Sequence, residues 1–130
     1  MGFLVFSNIG AKDSIDLVVA VPKLNELRIA GIRIRTSSYH EKKKAWAFGD
    51  DTAEYLIEKP HFFYIFCLKR KKQFKPTFIV ISSGDLRKLT RSLKENGNFG
   101  IEISKRQIEE PKKWSEYIEN FEQIRRALEK

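Results

Sequence analysis

Apolar and polar positions along this chain alternate first with the period of a strand and only later with that of a helix. Three early segments, Phe3 to Ile9, Ile15 to Val21 and Ile29 to Ser37, are rich in β-branched and aromatic residues and read as strands. The polar stretches Asn8 to Asp13 and Pro22 to Glu26 supply turns between them, so the three are expected as an antiparallel meander. Successive side chains in a strand point to opposite faces, which sets Arg33 and Arg35 together on the face opposite Ile32 and Ile34. Asp16 stands at the start of the preceding strand, where it could face the same pair of cations.

Beyond the meander, Ala45 to Phe48 predicts a brief edge strand. Asp51, followed three residues on by Glu54, has the spacing of a capping box and predicts a helix to about Glu58, stopped by Pro60. This reading makes the carboxylates of Asp50, Asp51 and Glu54 capping groups. Phe62 to Leu68 and Phe78 to Ile81 are apolar at nearly every position, the pattern of strands covered on both faces, and are expected at the centre of the sheet. They are expected to pair parallel or nearly so, although the linking segment, Lys69 to Pro76, is shorter than a helical crossover and by its length alone argues for an antiparallel hairpin. Ser82 to Asp85 opens a helix whose apolar stripe is Leu86, Leu89 and Leu93, with Arg87, Arg91 and Lys94 on another face and Asn96-Gly97 as its stop. Ile101 to Ile103 alternates like a short edge strand. From near Pro111, Trp114, Tyr117, Ile118, Phe121, Ile124 and Leu128 recur at helical spacing and predict a core-facing helix, whose position also suits a homodimer contact.

Charge changes the picture. The 130 residues carry a net charge of +8, with a pI near 9.6. A basic surface concentrates polyanions, so nucleic acid, and DNA in particular, is the expected partner. Lys42, Lys43 and Lys44 fall in one predicted loop, and Lys69, Arg70, Lys71 and Lys72 with Lys75 in another. Tyr39 and Trp46 flank the first cluster, an arrangement able to stack bases while lysines hold the backbone. Arg87 and Arg91 could extend such a surface along their helix. The competing reading is of solvated loops on a protein rich in Lys and Glu.

The length suits one domain, residues 1–130, with 42% hydrophobic residues to form its core. No apolar run approaches the ~20 residues that cross a bilayer, and no secretory pattern opens the chain, so no membrane partner is expected. The single cysteine, Cys67, lies in an apolar run, which fits core packing in a reducing, cytoplasmic setting. His40 and His61 show no spacing that would pair either with it as a base. The sequence contains no Gly-rich phosphate loop, Cys/His metal cluster or Ser-His-Asp arrangement.

The succession Ile15-Asp16-Leu17-Val18-Val19, Ile34-Arg35-Thr36-Ser37, Trp46-Ala47-Phe48, Phe62 to Leu68 and Pro76 to Ser82 resembles the restriction-endonuclease-like, or PD-(D/E)XK nuclease, superfamily between about Lys12 and Glu95. The resemblance implies an α/β (α+β) fold with a central mixed β-sheet, an antiparallel N-terminal meander and flanking helices. It also implies a catalytic set in which an acid on one strand, and an acid or amide, a spacer and a lysine on the next, hold a divalent metal such as Mg²⁺ and orient water. Position by position, Asp16 matches the first acid and metal ligand, Arg33 stands at the acid or amide, Ile34 at the spacer and Arg35 at the lysine. Divalent cations of this kind take oxygen ligands. At an effective dielectric near 20, a charge ~4 Å away contributes roughly 4 kcal/mol, so Arg33 would repel the ion that a carboxylate would hold. Arg35 cannot act as a general base. Glu26, Glu41 and Glu102 are candidates for a migrated carboxylate. Three readings follow: a nucleic-acid-binding protein with lost or weak cleavage, a divalent-metal-dependent DNA endonuclease, and a non-catalytic protein-interaction module. In the plainest alternative, Asp16 neutralises Arg33 or Arg35 within the sheet.

Overall fold

A computed structural model of the chain describes residues 4–7, 17–23, 26–50, 61–90, 99–110 and 114–129. The architecture is α+β. The first three strands, β1 (Leu4–Ser7), β2 (Leu17–Lys23) and β3 (Glu26–Ser38), form the expected antiparallel meander, with Leu17 opposite Ile32 and Lys23 opposite Glu26. β4 (Ala45–Asp50) leaves this sheet. It pairs antiparallel with β7 (Phe99–Ser104), so the two short edge strands read from the sequence find each other. β5 (Phe62–Lys69) returns to pair parallel with β3, and β6 (Thr77–Ser82) pairs antiparallel with β5. The main sheet is therefore mixed, with order β1-β2-β3-β5-β6. The helix expected over 51–58 lies outside the described residues.

Two cores form on opposite faces of this sheet, for the reason the apolar runs imply. Phe62, Tyr64, Phe66, Leu68, Ile79 and Ile81 face one way and pack under Trp46, Phe48 and Ile103 of the β4–β7 pair. The rings of Phe48 and Phe66 lie 4.7 Å apart. Phe63, Ile65, Val80, Ala30 and Ile32 face the other way and pack against Ile124 and Leu128 of α3 (Glu122–Glu129). Residues 62–68 of β5 are all buried, as a strand covered on both faces requires, and Cys67 is part of that core. α1 (Ser83–Thr90) begins where Ser82 Oγ accepts the Asp85 N–H at 3.2 Å, and its Leu86 enters the first core. α2 (Lys105–Glu109) starts with a complete capping box formed by Ser104 and Gln107.

Two expectations are corrected. β6 pairs antiparallel with β5 and is the last strand of the sheet, not a central one, although Ile79, Val80 and Ile81 are fully buried. The C-terminal helix is confined to α3, because the chain first turns around the outer edge of β6. Val80 N–H donates to Tyr117 O at 2.9 Å, and Glu119 N–H donates to Phe78 O at 2.8 Å. Glu119 Oε1 accepts the Phe78 N–H at 3.0 Å, and Gln123 Nε2 donates to Val80 O at 2.7 Å. This segment satisfies backbone groups that an edge strand would leave open. The helical spacing of the apolar stripe conceals the turn: Trp114 packs in the first core, whereas Ile124 and Leu128 pack in the second.

Candidate nucleic-acid interface

Parallel pairing decides where the lysines meet. Because β3 and β5 run the same way and end together, with Ser38 opposite Lys69, the loops that follow them leave from one end of the sheet. The Tyr39 N–H donates to Lys69 O at 2.9 Å, and the Trp46 indole N–H donates to the same carbonyl at 2.9 Å. The first loop is closed by His40 and Ala45, which bridge across it, and by the Lys44 N–H donating to His40 O at 2.8 Å. Lys44 has φ 51°, the left-handed conformation that lets the chain reverse into β4, and the Lys43 N–H donates to His40 Nδ1 at 3.2 Å.

Charge is thereby concentrated. The first loop brings Lys42, Lys43 and Lys44, and the second brings Lys69, Arg70, Lys71, Lys72 and Lys75, against the single carboxylate of Glu41. These two loops thus hold +7 of the chain's net +8, leaving the remainder almost neutral. All the lysines in them are exposed, and no ion pair among the described residues neutralises any of the eight cations. A surface of solvated charges spread for solubility would mix the two signs, which the rest of this chain does and this end does not.

A concave pocket of about 310 Å³ lies at the same end, lined by Ser38, Tyr39, Glu41, Lys69, Arg70 and Lys71. The Arg70 guanidinium sits over the Tyr39 ring at 4.6 Å, a cation–π contact that fixes the arginine at the pocket. Tyr39 is held from its other neighbour by Trp46, with ring centroids 5.0 Å apart. At the tip of the second loop Phe74 is fully exposed. The pocket pairing of Tyr39 with Arg70, and the exposure of Phe74, were not read from the sequence. The run Lys71-Lys72-Gln73-Phe74-Lys75 carries the only signal for the latter, an aromatic residue placed among cations in a loop.

Trp46 itself is buried, and its indole N–H is committed to the Lys69 carbonyl, so it supports the loops from below and is out of reach of a base. Tyr39 is the flanking aromatic that reaches the pocket. Arg87 does not join this end: β6 spans roughly 17 Å, and α1 begins at its far end, with Arg87 about one turn further on. Arg91 lies outside the described residues.

The residues matched to a catalytic set sit elsewhere. Arg33 and Arg35 align with Tyr64 and Phe66, which places them on the face roofed by the β4–β7 pair. Arg33 is buried, and Arg35 is part-buried with Nη1 donating to Ile34 O at 2.9 Å. Asp16 lies outside the described residues, immediately before Leu17 of β2. Glu41 belongs to the basic end and Glu102 is exposed on β7. Among the described residues, no group of three His, Cys, Asp or Glu side chains is placed to hold a metal ion. No helix among them is long and apolar enough to cross a membrane.

Comparison with protein-family models, with curated proteins and with solved structures finds no match to this chain.

Proposed function

We propose that this is a nucleic-acid-binding protein that grips the phosphate backbone with the two loops at the end of β3 and β5, on a restriction-endonuclease-like scaffold that no longer depends on metal chemistry. The observation that carries the reading is the gathering of nearly all the net positive charge onto two adjacent loops around one pocket. Binding of this kind is driven by counterion release and therefore falls steeply with salt. The cation at Arg33, where the resemblance calls for an acid or amide, favours the non-cleaving form of the reading, because it repels a divalent ion. The resemblance supplies the scaffold, and the antiparallel β2–β3 pair followed by the parallel β3–β5 pair is compatible with it.

The test is fluorescence anisotropy with labelled oligonucleotides over a salt series. Log affinity should fall linearly with log salt, and the triple variant Lys42→Gln, Lys43→Gln, Lys44→Gln should flatten the slope by about 2 to 3 if each lysine neutralises one phosphate. Arg87→Gln, at the far end of β6, should leave the slope where it is. An unchanged slope in the triple lysine variant and in a matching Lys71, Lys72 and Lys75 variant would reject the reading.

A further inference from the structure

The charged end also carries a feature that phosphate contacts leave unused. Phe74 is fully exposed and stands between Lys72 and Lys75 at the tip of the β5–β6 loop. Ile29 and Phe121, the other large apolar side chains exposed among the described residues, each keep about half of their surface covered by the fold. Phe74 does not, and it lies only three residues from Lys71 of the pocket wall.

Resting on the reading that this end binds nucleic acid, we infer that its ligand is single-stranded, with a base stacked on Phe74 and the flanking phosphates held by Lys71, Lys72 and Lys75. A duplex offers the cations its phosphates but keeps its base faces inside the stack, so an exposed ring gains contact with one only by prising a step apart. A single strand presents π-faces freely, and stacking on aromatics between cations tolerates any sequence because every base has such a face. The pocket matches in scale. At about 310 Å³ it lies at the small end of ligand clefts, room for one nucleotide-sized group and none for a helix. Its Arg70, positioned by the Tyr39 ring, presents a guanidinium whose N–H edge suits a phosphate oxygen pair. The chain of recognition is thus a cationic cradle with an aromatic platform further along the same loop.

The experiment compares oligothymidylate with a mixed-sequence duplex of equal length, using the full chain and the variants Phe74→Ala, Phe74→Trp and Lys71→Gln/Lys72→Gln/Lys75→Gln. Phe74 is fully exposed, so its replacement leaves the fold intact. Phe74→Ala should weaken oligothymidylate binding by roughly 5- to 150-fold, the range for loss of one stacked base. It should leave the salt slope and duplex affinity unchanged, and Phe74→Trp should restore single-strand affinity. If Phe74→Ala binds oligothymidylate as the parent does while the lysine variant loses slope, the single-strand inference fails and backbone binding stands. If neither variant changes anything, the single-strand inference fails, and with an unchanged slope in the Lys42, Lys43 and Lys44 variant as well the backbone reading fails too. Binding to phosphatidylserine vesicles that needs Phe74, with no effect of Phe74→Ala on oligonucleotides, would overturn the inference in favour of an anionic lipid surface.

Discussion

The indole N–H of Trp46 donates to the backbone carbonyl of Lys69 across 2.9 Å, tying the start of β4 to the end of β5. The same carbonyl receives the Tyr39 N–H, so one oxygen gathers the ends of β3, β4 and β5 beneath the basic loops. A buried aromatic thereby ties together the two loops that carry the cations.

Trp46→Phe should test this link directly. It removes one of the two donors to that carbonyl, which keeps the Tyr39 N–H, and part of the ring volume, so a cost of about 1–3 kcal/mol is expected from the lost hydrogen bond and the space left behind. Urea denaturation reads the loss. Oligonucleotide affinity should fall in parallel at temperatures where the variant remains folded, because the two loops lose one of the two bonds at their common anchor. Unaltered stability would show that the Tyr39 N–H alone suffices to hold Lys69 O and that the indole bond contributes nothing.

Cleavage provides the second prediction. If the proposed scaffold holds, Arg33 stands where its metal site would need a carboxylate or amide, and plasmid and single-stranded substrates incubated with Mg²⁺ or Mn²⁺ should be cut no faster than by an Asp16→Ala control. Arg33→Ala should instead destabilise the fold by about 2–4 kcal/mol, as truncation of a large buried side chain does. Robust cutting that vanishes in Asp16→Ala would establish the endonuclease reading and require a carboxylate other than Glu26, which stands seven residues, roughly 23 Å, along β3 from Arg33.

Local pattern carried most of the fold. The meander through Ser38, the doubly covered strand at Phe62 and the start of α1 at Ser82 each follow from periodicity or capping within a few residues. The Ser104–Gln107 capping box is equally visible in the sequence, yet the five residues of α2 carry no apolar period to mark a helix behind it. What local pattern could not carry was pairing between distant segments. Nothing near Ser38 or Lys69 announces that β3 and β5 lie side by side and parallel, and the convergence of both lysine loops depends entirely on that pairing. The stripe from Trp114 to Leu128 misled for a related reason: helical spacing was preserved while the chain turned from one face of the sheet to the other.

Tyr117 gives a prediction in pH. Burial raises the pKa of its hydroxyl above 10.0, and the negative charges of Asp85 and Glu116 raise it further, with the Tyr117 hydroxyl donating to Asp85 Oδ2 at 3.4 Å. A folded-state pKa above the unfolded one favours the protonated form. Its contribution to stability is fully present below about pH 10 and is lost as pH rises through the folded-state value. Tyr117→Phe has no such proton to lose. The stability difference between parent and variant should therefore shrink or reverse above pH 10, and denaturant midpoints that track one another across that range would refute the coupling.

The last prediction concerns the edge that the C-terminal segment covers. Glu119 adopts φ 55°, its N–H donates to Phe78 O at 2.8 Å, and its carboxylate accepts the Phe78 N–H at 3.0 Å. Proline satisfies none of these demands: its ring holds φ near −65° and it has no N–H to give. Glu119→Pro should therefore detach residues 117–119 from β6 and cost about 3 kcal/mol or more, besides uncovering Phe78 and Val80 backbone groups. Glu119→Gly separates the two effects, because glycine accepts the positive φ and keeps the N–H while losing only the carboxylate bond, so its cost should be much smaller. An uncovered β6 would present a pairing-competent edge, and concentration-dependent self-association in size-exclusion chromatography should appear in the proline variant and not in the glycine variant. A monomeric Glu119→Pro protein with parental stability would mean that the edge is protected by α3 alone, through contacts such as Gln123 Nε2 to Val80 O.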